Sequence, residues 1–202
     1  MNQKGKDRRI EKTRRVLHNA LISLMKRKEY RSITIQEIID EADVGRSTFY
    51  THFDDKDDLL LAGLHHLRDT LEAARAGAHA TTGKPYERII GFSLAMFEHA
   101  YEYREVYRVL VDSQAGGLVL QYFPAMIAGL VRDEAASALR RRADRASAIP
   151  GDLLVHFISS AFASVMSWWL DSDKPMAPEE IDAIFRRLIL PTLASQFSTS
   201  GL

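Results

Sequence analysis

Along almost the whole chain the apolar residues recur every three or four positions, the period of a helix with one buried stripe, and no run alternates as a strand would. The first predicted helix runs from about Arg8 to Lys28, with Ile10, Leu17, Leu21 and Leu24 on one stripe. A short second helix is announced by Thr34-Ile35-Gln36-Glu37, a capping box that precedes Ile38, Ile39 and Ala42. Asp43-Val44-Gly45 breaks it, and a third helix is predicted from about Arg46 to His52. The acids between Asp54 and Asp58 suit the positive end of a fourth helix, which carries Leu60, Leu64, Leu67 and Leu71 towards about His79. Past a linker at Thr81-Thr82-Gly83-Lys84-Pro85 the predicted helices are longer and more aromatic: about Pro85–Glu102, Arg104–Ser113, Leu118–Arg145, Pro150–Ser172 and Pro178–Phe197. Breaks are expected at Gly116-Gly117, Ile149-Pro150-Gly151 and Asp173-Lys174-Pro175. The pattern predicts an all-α chain of about nine helices.

Composition narrows the chemistry. The 202 residues contain no cysteine, which excludes disulfides, thiol catalysis, iron–sulfur clusters and cysteine-ligated zinc. Hydrophobic residues at 46% and charged residues at 27% exclude a wholly disordered chain. The polar, basic N-terminus has no apolar segment of the signal-peptide kind, so a cytoplasmic protein is expected.

The zero net charge hides a segregation. Met1 to Arg31 hold 11 basic and 3 acidic residues, a balance of +8, and the remainder carries the compensating −8. Nucleic acid and anionic membrane both select for such a basic end. A solvated helix face carries the same charge, and that is the reading given to Lys26, Arg27 and Lys28. Lys4, Lys6, Arg8 and Arg9 read as a loose basic arm for a minor groove or as a disordered terminus.

Two short helices joined by a three-residue turn form a helix-turn-helix candidate. Ile35, Ile38, Ile39, Ala42 and Val44 can pack inward with Phe49 and Phe53. Arg46, Ser47, Thr48, Tyr50 and His52 then point outward, as a major-groove reader requires. The stretch from Ser32 to Phe53, with Val44-Gly45-Arg46-Ser47-Thr48-Phe49-Tyr50-Thr51-His52-Phe53 at its heart, resembles the DNA-binding motif of TetR-like transcriptional regulators. Asp55-Lys56-Asp57-Asp58-Leu59-Leu60 is similar to the start of that family's fourth helix. The likeness in motifs covers about the first third of the chain.

The resemblance implies a DNA-binding domain over residues 1–55 and an effector-binding and dimerisation domain over 56–202. It implies that Thr34 meets a phosphate, that Arg46 and Ser47 read base edges, and that Thr48, Tyr50 and His52 contact phosphates or bases. Lys56 matches a lysine that contacts the DNA backbone. The physics is compatible, since a helix N-terminus binds anions and arginine can pair twice with guanine.

In the back of the chain, a wheel of Leu153–Leu170 gives two apolar faces. Leu153, Phe157, Ser160, Ser164 and Trp168 share one; Leu154, Ile158, Phe162, Val165 and Trp169 share the other. His156, the serines and the flanking acids argue against a membrane span, so burial on two sides points to a homodimer. The expected interface is Phe157, Ala161, Ser164 and Trp168 with Ile181, Phe185 and Leu188 of the last helix. A small-molecule effector is implied by the resemblance, and Phe92, Met96, His99, Tyr103, Tyr107, Tyr122, Met126, Phe162 and Met166 are candidate pocket residues. Taken one at a time, each of them is better explained as plain core.

No catalytic or metal-binding constellation emerges. His65 and His66 are adjacent and diverge on a helix, and no nucleophile elbow, phosphate loop or dinucleotide fingerprint occurs. No enzyme, metal or cofactor is expected. The leading expectation is a dimeric regulator that binds a palindromic operator in double-stranded DNA, most often as a repressor released by its effector. The rival is a helical small-molecule binder or interaction protein with no role on DNA.

Overall fold

The computed structural model describes residues 3–81, 85–111, 116–140 and 149–197. Among these residues there is no strand, and the helices are α1 (Gln3–Met25), α2 (Ile35–Ala42), α3 (Arg46–His52), α4 (Lys56–Thr81), α5 (Ser93–Glu102), α6 (Arg104–Val111), α7 (Gly116–Arg140), α8 (Gly151–Asp171) and α9 (Pro178–Phe197). Two 3-10 turns, Tyr30–Ser32 and Pro85–Ile90, complete the order.

Several boundaries differ from the sequence expectation. Helix α1 begins at Gln3, so the backbone from Lys4 to Arg9 is helical and not a loose arm. Gly116-Gly117 opens α7, which therefore starts two residues before the expected Leu118. The single helix expected from Pro85 to Glu102 is divided. Gly91 N–H donates to the Arg88 carbonyl at 3.0 Å, and the Ser93 hydroxyl donates to the Ile90 carbonyl at 2.8 Å, so the carbonyls freed at the join are satisfied there. The predicted helix ends at Ser113 and Arg145, and the linker residues Thr82, Gly83 and Lys84, lie outside the described residues.

The chain forms two compact units. The first comprises residues 1–67 with 105–118, the second residues 68–104 with 119–202. In the first, Leu17, Leu21 and Met25 of α1 are buried along with Ile38 and Ile39 of α2, Phe49 of α3 and Leu59 of α4. At seven residues α3 is too short to persist alone. Its place is set by Phe49, fully buried, whose ring lies 6.0 Å from that of Phe53. Burying such a side chain contributes about 1.5–3 kcal/mol.

The second unit is centred on aromatic rings. Phe162 of α8 stands 5.2 Å from Phe92, 5.1 Å from Phe97 and 5.2 Å from Phe185 of α9. Trp169 meets Phe97 edge-on at 5.4 Å and donates its indole N–H to the Met176 carbonyl at 2.9 Å. A buried polar group fastens α5 to α9: Ser93 donates to the Asp182 carboxylate, which also receives Arg186 Nε at 2.6 Å. The Arg186 and Ser93 contacts offset the cost of burying the Asp182 carboxylate. By length and composition α8 could cross a bilayer. Its face of Leu154, Ile158, Phe162 and Trp169 is instead buried, while Leu153, Phe157, Ser160, Ser164 and Trp168 are exposed.

Helix α9 corrects one expectation. The sequence puts Ile181 and Phe185 with Leu188 in the expected interface, yet both are fully buried within the chain while Leu188 is 60% exposed. The inward stripe runs Ile181, Phe185, Ile189, Leu193 at four-residue steps. Phe185 is committed to Phe97 and Phe162 of its own chain.

Candidate nucleic-acid interface

The N-terminal unit presents α3 on a scaffold braced by charge and caps. Helix α2 opens with the full capping box: Glu37 N–H donates to Thr34 Oγ1 at 3.2 Å, and Thr34 N–H donates to Glu37 Oε2 at 2.9 Å. The Thr34 hydroxyl donates to the same carboxylate oxygen at 2.9 Å. Lys28 reaches Glu37 Oε1 at 2.6 Å. With Lys28 first and the Thr34 contacts next, the Glu37 carboxyl is held down at about 2. One helical turn on, Glu41 receives Arg27 at 2.7 Å and the Ser23 hydroxyl at 2.8 Å, and these contacts lower its pKa as well. Arg27 and Lys28, read from sequence as solvated charge, therefore tie the end of α1 to α2. Their lysine-to-glutamate and arginine-to-glutamate pairing has no local sequence signal.

The turn into α3 uses an unexpected residue. Asp43, with φ 51° and ψ 50°, takes the left-handed conformation at the C-cap of α2, and Gly45 sits at the N-cap of α3 with φ −70°. Aspartate is among the few non-glycine residues that tolerate that region. The Gly45 carbonyl then accepts from Thr48 N–H at 2.9 Å and Phe49 N–H at 3.2 Å, which starts the helix.

With Phe49 turned inward, Arg46, Ser47, Tyr50 and Thr51 are exposed, and Thr48 and His52 are half-buried. The Arg46 guanidinium lies 5.8 Å from the centre of the Tyr50 ring, one turn further along the same face. This face carries donors, acceptors and one fixed positive charge, the complement of a base-pair edge flanked by phosphates. Thr34 is exposed one element earlier, but its hydroxyl and N–H are engaged by Glu37.

Lys56, the expected DNA-backbone contact, has a different set of partners. Its ammonium donates to the carbonyls of Tyr30 at 2.9 Å, Arg31 at 3.2 Å and Ile33 at 2.9 Å, and stands 4.7 Å from the Tyr30 ring centre. The neighbouring Asp57 accepts the Tyr30 hydroxyl at 2.5 Å. Burial and this hydrogen bond push the Tyr30 phenol pKa up.

The other candidate residues fall into distinct settings. Phe92, Met96, Met126, Phe162 and Met166 are buried in the second unit, three of them fully. His99, Tyr103 and Tyr122 of that unit are half-buried, with the His99 and Tyr103 rings 4.6 Å apart. Tyr107, also half-buried, belongs to the first unit. On the α8–α9 side Phe157, Ser164, Trp168 and Leu188 are exposed and Ala161 is half-buried. Among the described residues no group of three His, Asp or Glu side chains is placed to hold a metal ion.

Residues 17–62 match the model of bacterial regulatory proteins of the tetR family, and residues 87–191 match a transcriptional regulator C-terminal region of the same family series. An uncharacterised HTH-type transcriptional regulator of Bacillus subtilis is 37% identical over 59 residues, a match spanning 29% of this chain and only 16% of that relative. A TetR transcriptional regulator from Streptococcus agalactiae is 28% identical with a TM-score of 0.58, covering 93% of this chain and 99% of that one. A TetR-family structure from Syntrophomonas wolfei, 19% identical, shares the fold at a TM-score of 0.74 over 95% of this chain and 99% of its own.

Proposed function

The chain belongs to the TetR family of transcriptional regulators, DNA-binding helix-turn-helix proteins and not enzymes, and on that premise we propose that it is a cytoplasmic homodimeric repressor released from its operator by a small molecule. The observation that carries the DNA-reading part is the face of α3. A buried Phe49 fixes the helix, and Arg46, Ser47 and Tyr50 stand in solvent beside half-buried Thr48 and His52. Arg46 and Ser47 take the base edges in this reading, with Thr48, Tyr50 and His52 on the flanking phosphates and Thr34 at the α2 end. The balance of +8 over the first 31 residues supplies the long-range attraction and a steep dependence on salt.

The dimer is proposed to form over Leu153, Phe157, Trp168 and Leu188, large apolar side chains left 47–62% exposed by the chain's own fold. An exposed apolar set of that kind on α8 and α9 favours association. Two copies then present two α3 helices to a two-fold-related operator. The proposed effector site is in the second unit, with the half-buried His99 and Tyr103, whose rings lie 4.6 Å apart, as its first candidates. Helix α4 runs without interruption from Lys56 to Thr81 and contributes residues to both compact units. An effector that favours one placement of α4 would thereby shift the two reading helices off the operator spacing.

The test is selection of bound duplexes from a random pool by the full chain, followed by sequencing. The expected product is a palindrome with half-site centres about 34–36 Å apart, or a multiple of that. A pool that emerges with no enriched sequence would favour a helical small-molecule binder with no role on DNA.

A further inference from the structure

We propose that Lys56 acts in DNA binding as a positioning residue that locks the entrance to α2, and not as a phosphate contact. The inference rests on the reading of the N-terminal unit as a DNA-binding head. An ammonium has three N–H donors and no acceptor. In Lys56 the three meet three backbone carbonyls, those of Tyr30, Arg31 and Ile33, at 2.9, 3.2 and 2.9 Å. The side chain is half-buried, with the Tyr30 ring on one side. A phosphate oxygen could recruit this cation only by displacing a carbonyl from it.

The carbonyls that converge on Lys56 belong to the turn immediately before Thr34, the N-cap of α2. They point the same way because the chain coils through the 3-10 turn Tyr30–Ser32, and three convergent carbonyls without a cation would repel one another. Asp57 adds a second fastening through the Tyr30 hydroxyl at 2.5 Å. Two successive residues at the start of α4 therefore hold the turn, one by donating and one by accepting. Helix α2 in turn packs on α3. The start of α4 thus fixes the α2–α3 pair before any DNA arrives. Without the clasp the turn has to be ordered during binding, which weakens affinity for every sequence alike.

Charge and geometry can be separated experimentally, because lysine and arginine differ in shape at equal charge. A planar guanidinium cannot aim three N–H groups from one nitrogen at three converging carbonyls, whereas it serves a phosphate at least as well as lysine does. Lys56→Arg and Lys56→Met are compared with the wild-type full chain on the duplex that the wild type selects, by fluorescence anisotropy over a range of salt. The comparison is made at a temperature where circular dichroism shows all three folded. The proposal expects Lys56→Arg to bind at least about tenfold more weakly. It expects both variants to keep the wild-type slope of log affinity against log salt. It is overturned if Lys56→Arg binds like the wild type. It is overturned equally if Lys56→Met loses about 0.9 from that slope, the signature of one lost phosphate contact. Unchanged affinity in both folded variants would reduce Lys56 to a stability brace and overturn it too. Should Lys56→Met fail to fold, Lys56→Arg decides alone. If the wild type selects no duplex at all, the failure belongs to the DNA-binding reading itself.

Discussion

The His18 imidazole of α1 lies directly on the backbone of Gly63 in α4: a Cβ at Gly63 would stand 2.1 Å from His18 Cε1 and 2.6 Å from Nδ1. No pair of non-bonded atoms sits that close, so the imidazole can occupy this place only because residue 63 has no side chain. Gly63→Ala is expected to destabilise the N-terminal unit by about 1–3 kcal/mol, the usual cost of overpacking. Combining it with His18→Ala should recover much of that loss, since the clash is between these two residues. Urea denaturation of the two single variants and the double variant measures the coupling. Additive losses would show that Gly63 is needed for something other than room for the imidazole.

The bracing of α2 has a pH signature. Glu37 titrates at about 2 in the fold against an ordinary value of 4.5, so its charged form is favoured by folding. Its contribution is complete above about pH 4.5 and fades as the pH falls towards 2. Glu37→Gln should therefore lower thermal stability near neutrality and flatten the loss of stability between these two values. Melting curves of both proteins across that range check it. Parallel curves throughout would mean that the Lys28 and Thr34 contacts are not maintained in solution.

The two aromatic residues expected to share an interface should behave in opposite ways. Trp168 is 62% exposed in the chain, whereas Phe185 is fully buried among Phe97 and Phe162. Trp168→Asp should leave a folded protein that sediments as a monomer. Phe185→Ala should instead cost about 3–5 kcal/mol of stability by leaving a cavity. Sedimentation velocity and denaturation distinguish the outcomes. A dimeric Trp168→Asp would move the interface away from this face of α8.

Helices were readable because their signals are local. The capping box at Thr34 and Glu37 and the Phe49–Phe53 spacing lie within a few residues of each other, and both are realised in the structure. The two apolar faces of α8 also follow from periodicity, though which of them meets the chain's own core does not. Periodicity does not say which side of a stripe meets the core, which is why Ile181 and Phe185 changed faces. Long-range polar partners left no trace either. Nothing adjacent to Lys56 foretells three carbonyls more than 20 residues upstream, and nothing near Asp182 foretells Ser93, 89 residues away. At the turn before α3 the left-handed conformation falls on Asp43 and not on Gly45, and aspartate carries too weak a preference for it to mark the position in advance.

The central claim is that α3 reads base pairs through Arg46, and it is tested most directly by a binding profile. The affinities of the wild type and Arg46→Ala are measured for the selected operator and for every single-base-pair variant of one half-site. The wild type should discriminate at one position by about 1–3 kcal/mol, the range of a two-pronged arginine–guanine contact, and Arg46→Ala should lose discrimination there while keeping it elsewhere. A variant that weakens all duplexes by the same factor would contradict the account, placing Arg46 on the DNA backbone and the base reading in other residues.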